Sequence, residues 1–227
     1  MKKEIIVIAL GGNALIEKNK QDISHQFKVA KKALSHLMPL IKKNKIVITH
    51  GNGFQIGRQL IQNEQAMKLV PASTLDVLDA ETQGEIGYLL EQTMKNLLIE
   101  NGIHIPVVTV LTQVLVNKKD KAFKNPTKPI GPFYTKKQAE KFRKKGFKII
   151  NDAGRGYRRL VPSPKPIKIV EADIIKKLIN EEIIVIGAGG GGIPVYKENG
   201  KLKGIEAVID KDLASSCLAK SLNASVL

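Results

Sequence analysis

The stretch that decides the fold is Ile183-Ile184-Val185-Ile186-Gly187-Ala188-Gly189-Gly190-Gly191-Gly192, an apolar run that leads into glycine. An uninterrupted run of this kind is typical of a parallel strand that is buried on both faces. Glycines after a strand let backbone N–H groups approach an anion with no Cβ in the way. Two further runs have the same form: Ile5–Leu10 leads into Gly11-Gly12-Asn13, and Ile46–Thr49 leads into His50-Gly51-Asn52-Gly53. Three such junctions in one chain predict phosphate chemistry.

Strands and helices alternate along the chain. Further strands are predicted at Val107–Leu111 and Ile167–Val170, and helices at Ser24–Lys43 and Leu75–Ile99, where apolar residues recur at three-to-four spacing. This alternation predicts an α/β layered fold with a mainly parallel central sheet. Ligands bind at the carboxyl ends of the strands in such sheets, which is where all three glycine runs lie.

Residues 116–164 interrupt the alternation and are predicted to form an inserted lobe. The segment is dense in lysine and holds five prolines: Pro126, Pro129, Pro132, Pro162 and Pro164. A short helix is predicted at Lys136–Lys145, and Asn125–Thr135 is predicted to be a loop.

The composition bounds the class of protein. The net charge is +16 over 227 residues, but lysine supplies 32 of the 37 basic residues and aromatic residues make up only 4%. Nucleic-acid sites favour arginine and stacking aromatics, so this charge indicates dispersed, solvated lysines and no nucleic-acid partner. The apolar runs are too short to span a membrane. The single cysteine, Cys217, excludes an internal disulfide and favours a reducing, cytoplasmic location.

The glycines alone do not define the phosphate ligand. A Walker A motif is absent from the sequence. Gly187, Gly189 and Gly192 match the letters of a dinucleotide fingerprint, but that fingerprint must open a helix. The residues that follow them, from Ile193 to Lys201, have the pattern of a hairpin instead. A dinucleotide-binding protein therefore stays the less favoured alternative.

Two lysines have contexts that suit phosphoryl transfer, which requires cations around the moving group. Lys128 lies in the proline-stiffened stretch Asn125–Pro132. Lys211 lies between Asp210 and Asp212, directly before a predicted helix at Leu213–Leu222, and either aspartate is a candidate N-cap. Spacing alone gives neither lysine a role.

Several blocks together carry a family resemblance. In chain order they are Ala9-Leu-Gly-Gly-Asn-Ala14, His50-Gly-Asn-Gly53, Thr82-Gln-Gly84, Asn125–Tyr134, Asp152-Ala-Gly-Arg-Gly-Tyr-Arg-Arg159, Val161–Pro166, Gly189–Pro194 and Glu206–Asp212. The chain resembles the carbamate kinases of the amino-acid kinase family over essentially its whole length. The blocks at Asn125–Tyr134 and Asp152–Arg159 are the most specific, because they belong to the lobe and other members of the amino-acid kinase family lack it.

The resemblance implies a three-layer α/β/α sandwich over residues 1–227, with the lobe at 116–164 within it. It also implies transfer of a phosphoryl group between ATP and carbamate, giving carbamoyl phosphate and ADP with Mg²⁺, by a cytoplasmic homodimer of arginine metabolism. Its small-molecule partners would be carbamate or carbamoyl phosphate and ATP or ADP.

The resemblance also implies roles for individual residues. Gly11, Gly12 and Asn13 would bind the transferring phosphoryl group, and Gly51 and Asn52 would hold the carbamoyl end. Charge would be neutralised by Lys128 and Lys211, whose ammonium groups Asp212 would orient. Gly189 and Gly190, with Lys211, would lie on the nucleotide side. No general base is needed, and the scattered histidines at positions 25, 36 and 104 predict no side-chain metal site.

The chain departs from the family pattern at three places. Phe54 stands where proline is usual, and Arg58 stands where a smaller polar residue is common. The sequence ends at Leu227, where the resemblance would begin another strand, so we expect a chain truncated on its nucleotide side. The alternative hypothesis is a catalytically impaired relative that binds phosphate-type ligands without turnover.

Overall fold

The computed structural model describes residues 3–12, 15–17, 20, 22–152, 154 and 156–227, and of Pro132 the backbone alone. The predicted Asn13 site therefore lies outside the described residues. No helix in this described part of the chain is both long and apolar enough to cross a membrane.

A four-stranded parallel sheet forms the centre of the fold. Its strands, in spatial order, are β1 (Ile5–Leu10), β2 (Lys45–His50), β9 (Ile184–Ile186) and β3 (Val107–Thr109). The predicted strands at the three glycine junctions are confirmed. Because these runs are predominantly apolar, both faces of the sheet can be covered by helices.

Two hydrophobic clusters lie on opposite faces of this sheet, and alternate strand residues contribute to each. Ile46, Ile48 and Ile186 pack with α1 (Ile23–Ser35) and α4 (Leu75–Glu100). Val47 and Val185 pack on the other side with residues of α6 (Ala172–Asn180) and α7 (Lys211–Leu222). The period-two alternation of a strand thus divides one apolar run between two cores. This arrangement confirms the predicted three-layer α/β/α sandwich.

The helix predicted at Ser24–Lys43 is divided in two. The first part, α1, ends at Ser35, and a short α2 spans Met38–Ile41. Pro39 lies in the first turn of α2. Proline has no N–H to continue the hydrogen-bond pattern of α1, but it is well tolerated at a helix start.

A second sheet joins β11 (Lys201–Gly204), β10 (Ile193–Glu198), β4 (Gln113–Val116) and β8 (Pro166–Ile169) in that order. The predicted hairpin after the glycines is confirmed, with Asn199 and Gly200 both at positive φ in its turn. The strand predicted at Ile167–Val170 is present as β8, outside the central parallel sheet. It pairs antiparallel with β4, and the sequence of a strand does not reveal which sheet it joins.

The region predicted as a lobe contains a three-stranded antiparallel sheet in the order β5 (Lys128–Tyr134), β7 (Tyr157–Val161) and β6 (Ile149–Asn151), with α5 at Lys136–Lys144. The predicted loop at Asn125–Thr135 is wrong, since most of it forms β5. Pro129 and Pro132 are compatible with β5 because it is an edge strand, where a missing N–H leaves no neighbour unpaired. Ile130 and Val161 of this sheet pack against α3 (Gly53–Ala66). The inserted lobe itself stays a prediction.

Candidate active site

The three glycine junctions meet at the carboxyl edge of the parallel sheet. The N–H of Gly51, after β2, donates to the Leu10 carbonyl of β1 at 3.1 Å. The N–H of Gly187, after β9, donates to the Ile48 carbonyl of β2 at 2.9 Å. Neighbouring parallel strands place their carboxyl ends side by side, so the junctions converge as predicted.

Gly11 and Gly12 border open space. A Cβ built at either position would meet no heavy atom of the described structure within 4 Å, outside its chain neighbours. The Gly12 carbonyl is occupied by the N–H groups of Leu15 and Ile16, both at 3.1 Å. The backbone at the end of β1 is thus accessible to a ligand.

The glycine run after β9 is buried and packs tightly against side chains of the site. Residues Gly189–Gly191 form a single 3₁₀ turn, with φ at +66° for Gly190 and +100° for Gly191. A Cβ at Gly189 would lie 2.3 Å from His50 Nε2, and one at Gly190 would lie 2.4 Å from Asn52 Nδ2. Packing against His50 and Asn52 therefore requires these glycines, and their predicted contact with nucleotide stays a prediction.

Gln83 and Thr112 hold the start of this run. The Gln83 amide donates to the Thr112 carbonyl at 3.0 Å and accepts from the Thr112 N–H at 2.8 Å. The Thr112 hydroxyl in turn accepts from the N–H of Ala188 at 2.9 Å. A buried chain of hydrogen bonds thus fixes the glycine turn relative to α4.

His50 is fully buried at the end of β2. Its Nδ1 donates to the Gly51 carbonyl at 3.1 Å, a hydrogen bond within the backbone turn that follows β2. Burial lowers the pKa of His50 from 6.5 to about 4, although the Gly51 carbonyl opposes the shift. The imidazole is therefore neutral throughout the physiological range of pH.

The folded-state pKa of His50 lies below its unfolded value. Its contribution to the free energy of unfolding is therefore fully present above pH 6.5 and declines as the pH falls toward 4. We expect a loss of about 3 kcal/mol in the free energy of unfolding across this window. Urea unfolding at pH 7.5 and pH 4.5 measures it. His50→Gln should have a shallower pH dependence, whereas the exposed His104→Gln should match the parent. Equal slopes for all three proteins would contradict the assignment.

Asn52 lies beside the glycine turn and is held by α4. Its Nδ2 donates to Asp79 Oδ1 and to Thr82 Oγ1, both at 3.0 Å. Asp79 is 1% exposed, and burial raises its pKa well above the usual range, with the nearby negative charge of Asp76 acting in the same direction. Asp79 carries no signal in the sequence. Thr82 stands out only as part of a family block, because neither residue follows a glycine junction.

Lys211 begins α7 and extends over the end of β2. Its Cδ lies 3.4 Å from where a Cβ at Gly51 would stand, so glycine at that position leaves room for the lysine. Its Nζ donates to Asp212 Oδ1 at 2.6 Å. The Lys211 side chain is 24% exposed, whereas that of Asp212 is 74% exposed. The ammonium group is therefore placed at the sheet edge, with Asp212 on its solvent side.

Lys128 reaches the same helix from β5. Its Nζ donates to Asp210 Oδ2 at 2.6 Å. Asp210 is the N-cap of α7, and its Oδ1 accepts the N–H groups of Asp212 and Leu213. Burial raises the pKa of Asp210, but Lys128 and the two N–H groups outweigh it and hold the pKa below its ordinary value.

Asp212 was predicted to orient both lysines, but the two lysines contact different aspartates. Asp212 contacts Lys211, while Asp210 holds Lys128. The Asp-Lys-Asp pattern did signal an N-cap, but one oxygen of an aspartate is enough for capping, and the sequence gives no sign of what the second oxygen binds. Among the described residues no group of three or more His, Cys, Asp or Glu side chains could hold a metal ion.

Comparison with known proteins gives this geometry its context. The model of the Amino acid kinase family matches residues 4–227. A carbamate kinase of Pyrococcus horikoshii is 48% identical over 229 residues, a match that covers 99% of this chain and 73% of the relative. These matches confirm the resemblance and the function it implies, and they do not favour the alternative of binding without turnover.

Solved structures agree with the sequence matches. A carbamate kinase from Giardia lamblia bound to citric acid superposes with a TM-score of 0.93 at 44% identity, covering 99% of this chain and 75% of that one. The same enzyme bound to AMP-PNP superposes with a TM-score of 0.89 at 44% identity, covering 99% and 73%. The chain belongs to the amino acid kinase family and, within it, to the carbamate kinases.

Proposed function

We propose that phosphoryl transfer between ATP and carbamate takes place where the carboxyl ends of β1, β2 and β9 meet the start of α7. The observation that carries this placement is the convergence of two lysines from separate parts of the fold. Lys128 comes from the lobe and Lys211 from the core, and the adjacent carboxylates of Asp210 and Asp212 hold them. Two fixed cations at an open, glycine-lined strand edge are suited to a phosphoryl group in transit.

The residues divide between the two ends of the reaction. Gly11 and Gly12, which border open space, offer backbone N–H groups to the transferring phosphoryl group. Asn13, the next residue in the sequence, is assigned to the same group by the family resemblance alone. Gly51 and Asn52 hold the carbamoyl end. Lys128 and Lys211 neutralise the charge that develops on the phosphoryl oxygens. Gly189 and Gly190, with Lys211, lie toward the nucleotide.

The reaction needs no general base from the protein. A carbamate oxygen is already anionic, so it attacks the γ-phosphorus of ATP directly. The new O–P bond forms carbamoyl phosphate, and the bond to the β–γ bridging oxygen breaks to release ADP. The buried His50 is neutral and donates to the Gly51 carbonyl, so it supports the backbone at this point. The substrate carries no proton that His50 would have to accept. Catalysis then consists of alignment and charge stabilisation.

Mg²⁺ fits this site as a companion of the nucleotide. Mg²⁺ is commonly bound by one or two carboxylates together with substrate phosphates and waters. The exposed Asp212 is the carboxylate that would contribute to such a shell, because Lys211 contacts only its Oδ1, whereas Lys128 and the cap of α7 occupy both oxygens of Asp210. When bound, Mg²⁺ would offset negative charge on the nucleotide phosphates.

Synthesis of ATP from ADP and carbamoyl phosphate tests the proposed reaction. With the whole chain and Mg²⁺, we expect ATP to form in proportion to the carbamoyl phosphate consumed. EDTA should abolish turnover, and excess Mg²⁺ should restore it, whereas excess Na⁺ at equal ionic strength should not. Turnover that is unchanged in EDTA would contradict the role of Mg²⁺, and ADP binding without ATP formation would contradict the reaction.

The predicted homodimer also stays a proposal. Supporting it are Tyr88, Ile99 and Leu111, three exposed apolar side chains that line a shallow cavity of about 690 Å³ along α4. Apolar surface gathered in one place is the kind of surface that a partner covers, and sedimentation equilibrium measures the assembly. The cytoplasmic location expected from the single cysteine is likewise a prediction.

A further inference from the structure

Asp79 has no part in the chemistry described so far, although it is an acidic side chain placed inside the fold. It lies on the inner side of α4 and is 1% exposed. Its Oδ2 is buried and has no hydrogen-bond partner among the described residues. Burying a carboxyl group with an unpaired oxygen costs stability, so its presence beside the site calls for a reason.

The hydrogen bonds around Asn52 supply that reason. The Nδ2 of Asn52 carries two hydrogens, and Asp79 Oδ1 and Thr82 Oγ1 accept one each. Thr82 Oγ1 donates its own hydrogen to the Asp79 carbonyl at 2.9 Å, so toward Asn52 it can only accept. A flipped amide would bring the Asn52 oxygen against this acceptor. Together, the two α4 residues select one orientation of the amide.

The selected orientation leaves an acceptor for the substrate. With both amide hydrogens committed, Asn52 can offer a ligand only its Oδ1, which takes no hydrogen bond from the residues that the structure describes. A carbamoyl group carries an NH₂ that donates to such an oxygen. An acetyl group of the same shape carries a methyl group and cannot.

We propose that Asp79 is a positioning residue that fixes the amide of Asn52 so that the site selects a carbamoyl NH₂ over an acetyl methyl group. This inference rests on the proposed placement of Asn52 at the carbamoyl end. It assigns specificity for the transferred group to a residue of α4 that does not itself touch substrate.

Substrate selectivity tests the inference. For each variant, kcat/KM is measured for carbamoyl phosphate with ADP, and acetyl phosphate is measured as a competitive inhibitor. In Asp79→Ala we expect kcat/KM for carbamoyl phosphate to fall about tenfold, because the amide loses an acceptor that orients it. The inhibition constant of acetyl phosphate and the KM of ADP should not change.

Two matched variants separate positioning from packing. Asp79→Asn keeps an oxygen acceptor for Asn52 and should retain most of the selectivity. Glu81→Ala removes an exposed carboxyl from the same helix and should match the parent. If Asp79→Ala fails to fold, Thr82→Val removes the other acceptor and is expected to lower the selectivity in the same way.

The outcomes distinguish this inference from the proposed site. If Asp79→Ala lowers kcat/KM for carbamoyl phosphate and weakens inhibition by acetyl phosphate by the same factor, Asp79 has only a structural role. That result would overturn the inference. If Asn52→Ala lowers kcat/KM for carbamoyl phosphate while Asp79→Ala and Thr82→Val do not, only the inference fails. If Asn52→Ala has no effect, the placement of Asn52 fails, and the inference fails with it.

Discussion

Replacement of Lys211 by alanine is expected to lower kcat for ATP synthesis by about 10³-fold, the scale found when one preorganised donor to a transition state is removed. The physical reason is that the Lys211 ammonium lies over the Gly51 junction and is fixed there by Asp212. Its charge is therefore present before the phosphoryl group moves, with no reorganisation to follow. Steady-state rates with ADP and carbamoyl phosphate measure the effect.

The control for this variant is Lys220→Ala. Lys220 lies in the last turn of the same helix and is exposed, so the change removes the same charge far from the sheet edge. Lys128→Ala should resemble Lys211→Ala in kcat, because both cations are proposed to neutralise charge on the transferring group. A loss of less than tenfold in Lys211→Ala, or an equal loss in Lys220→Ala, would contradict the assigned role.

Replacement of Gly190 by alanine is expected to destabilise the protein by about 3 kcal/mol, from about 1–2 kcal/mol of left-handed backbone strain and a similar overpacking cost. The new Cβ would lie 2.4 Å from Asn52 Nδ2, and Asn52 cannot move away without leaving Asp79 and Thr82. Urea unfolding at pH 7.5 measures the change in the free energy of unfolding.

Gly102 offers the matched control for this prediction. Its φ of +64° is almost that of Gly190 at +66°, but a Cβ at Gly102 would meet no heavy atom within 4 Å. Gly102→Ala should therefore show the backbone strain alone, about 1–2 kcal/mol. Equal destabilisation by the two substitutions would show that the contact with Asn52 contributes nothing.

The central sheet and its glycine edge could be predicted from the sequence because both are local signals. Uninterrupted apolar runs such as Ile5–Leu10 favour buried parallel strands, and the glycines after them mark where each strand ends. Pro129 and Pro132 obscured β5, since proline argues against a strand unless the strand is known to lie at an edge. Sheet membership was equally hidden for β8, because its pairing with β4 depends on the path of the whole chain.

The sequence points to the cations and glycines of the proposed site but not to the groups that hold them. Lys128 and Asp210 are 82 residues apart, so no spacing rule brings them together. Asp79 lies in a helix whose apolar pattern predicts burial of that face, yet a buried acid has no sequence signature of its own. Residues that bind substrate recur in recognisable blocks, whereas their supporting partners are set by packing between elements.

The carboxylate of Asp210 connects the N-terminus of α7 to Lys128 of β5. One oxygen caps α7 and the other holds Lys128, while the Val208 N–H donates to the Pro162 carbonyl at 3.0 Å just before the helix. A displacement of β5 away from the core would pull on the first turn of α7, and fraying of that turn would release the lysine. We therefore expect displacement of β5 and fraying of the helix start to be coupled, so that Lys128 and the N–H groups of Asp212 and Leu213 would become exposed together.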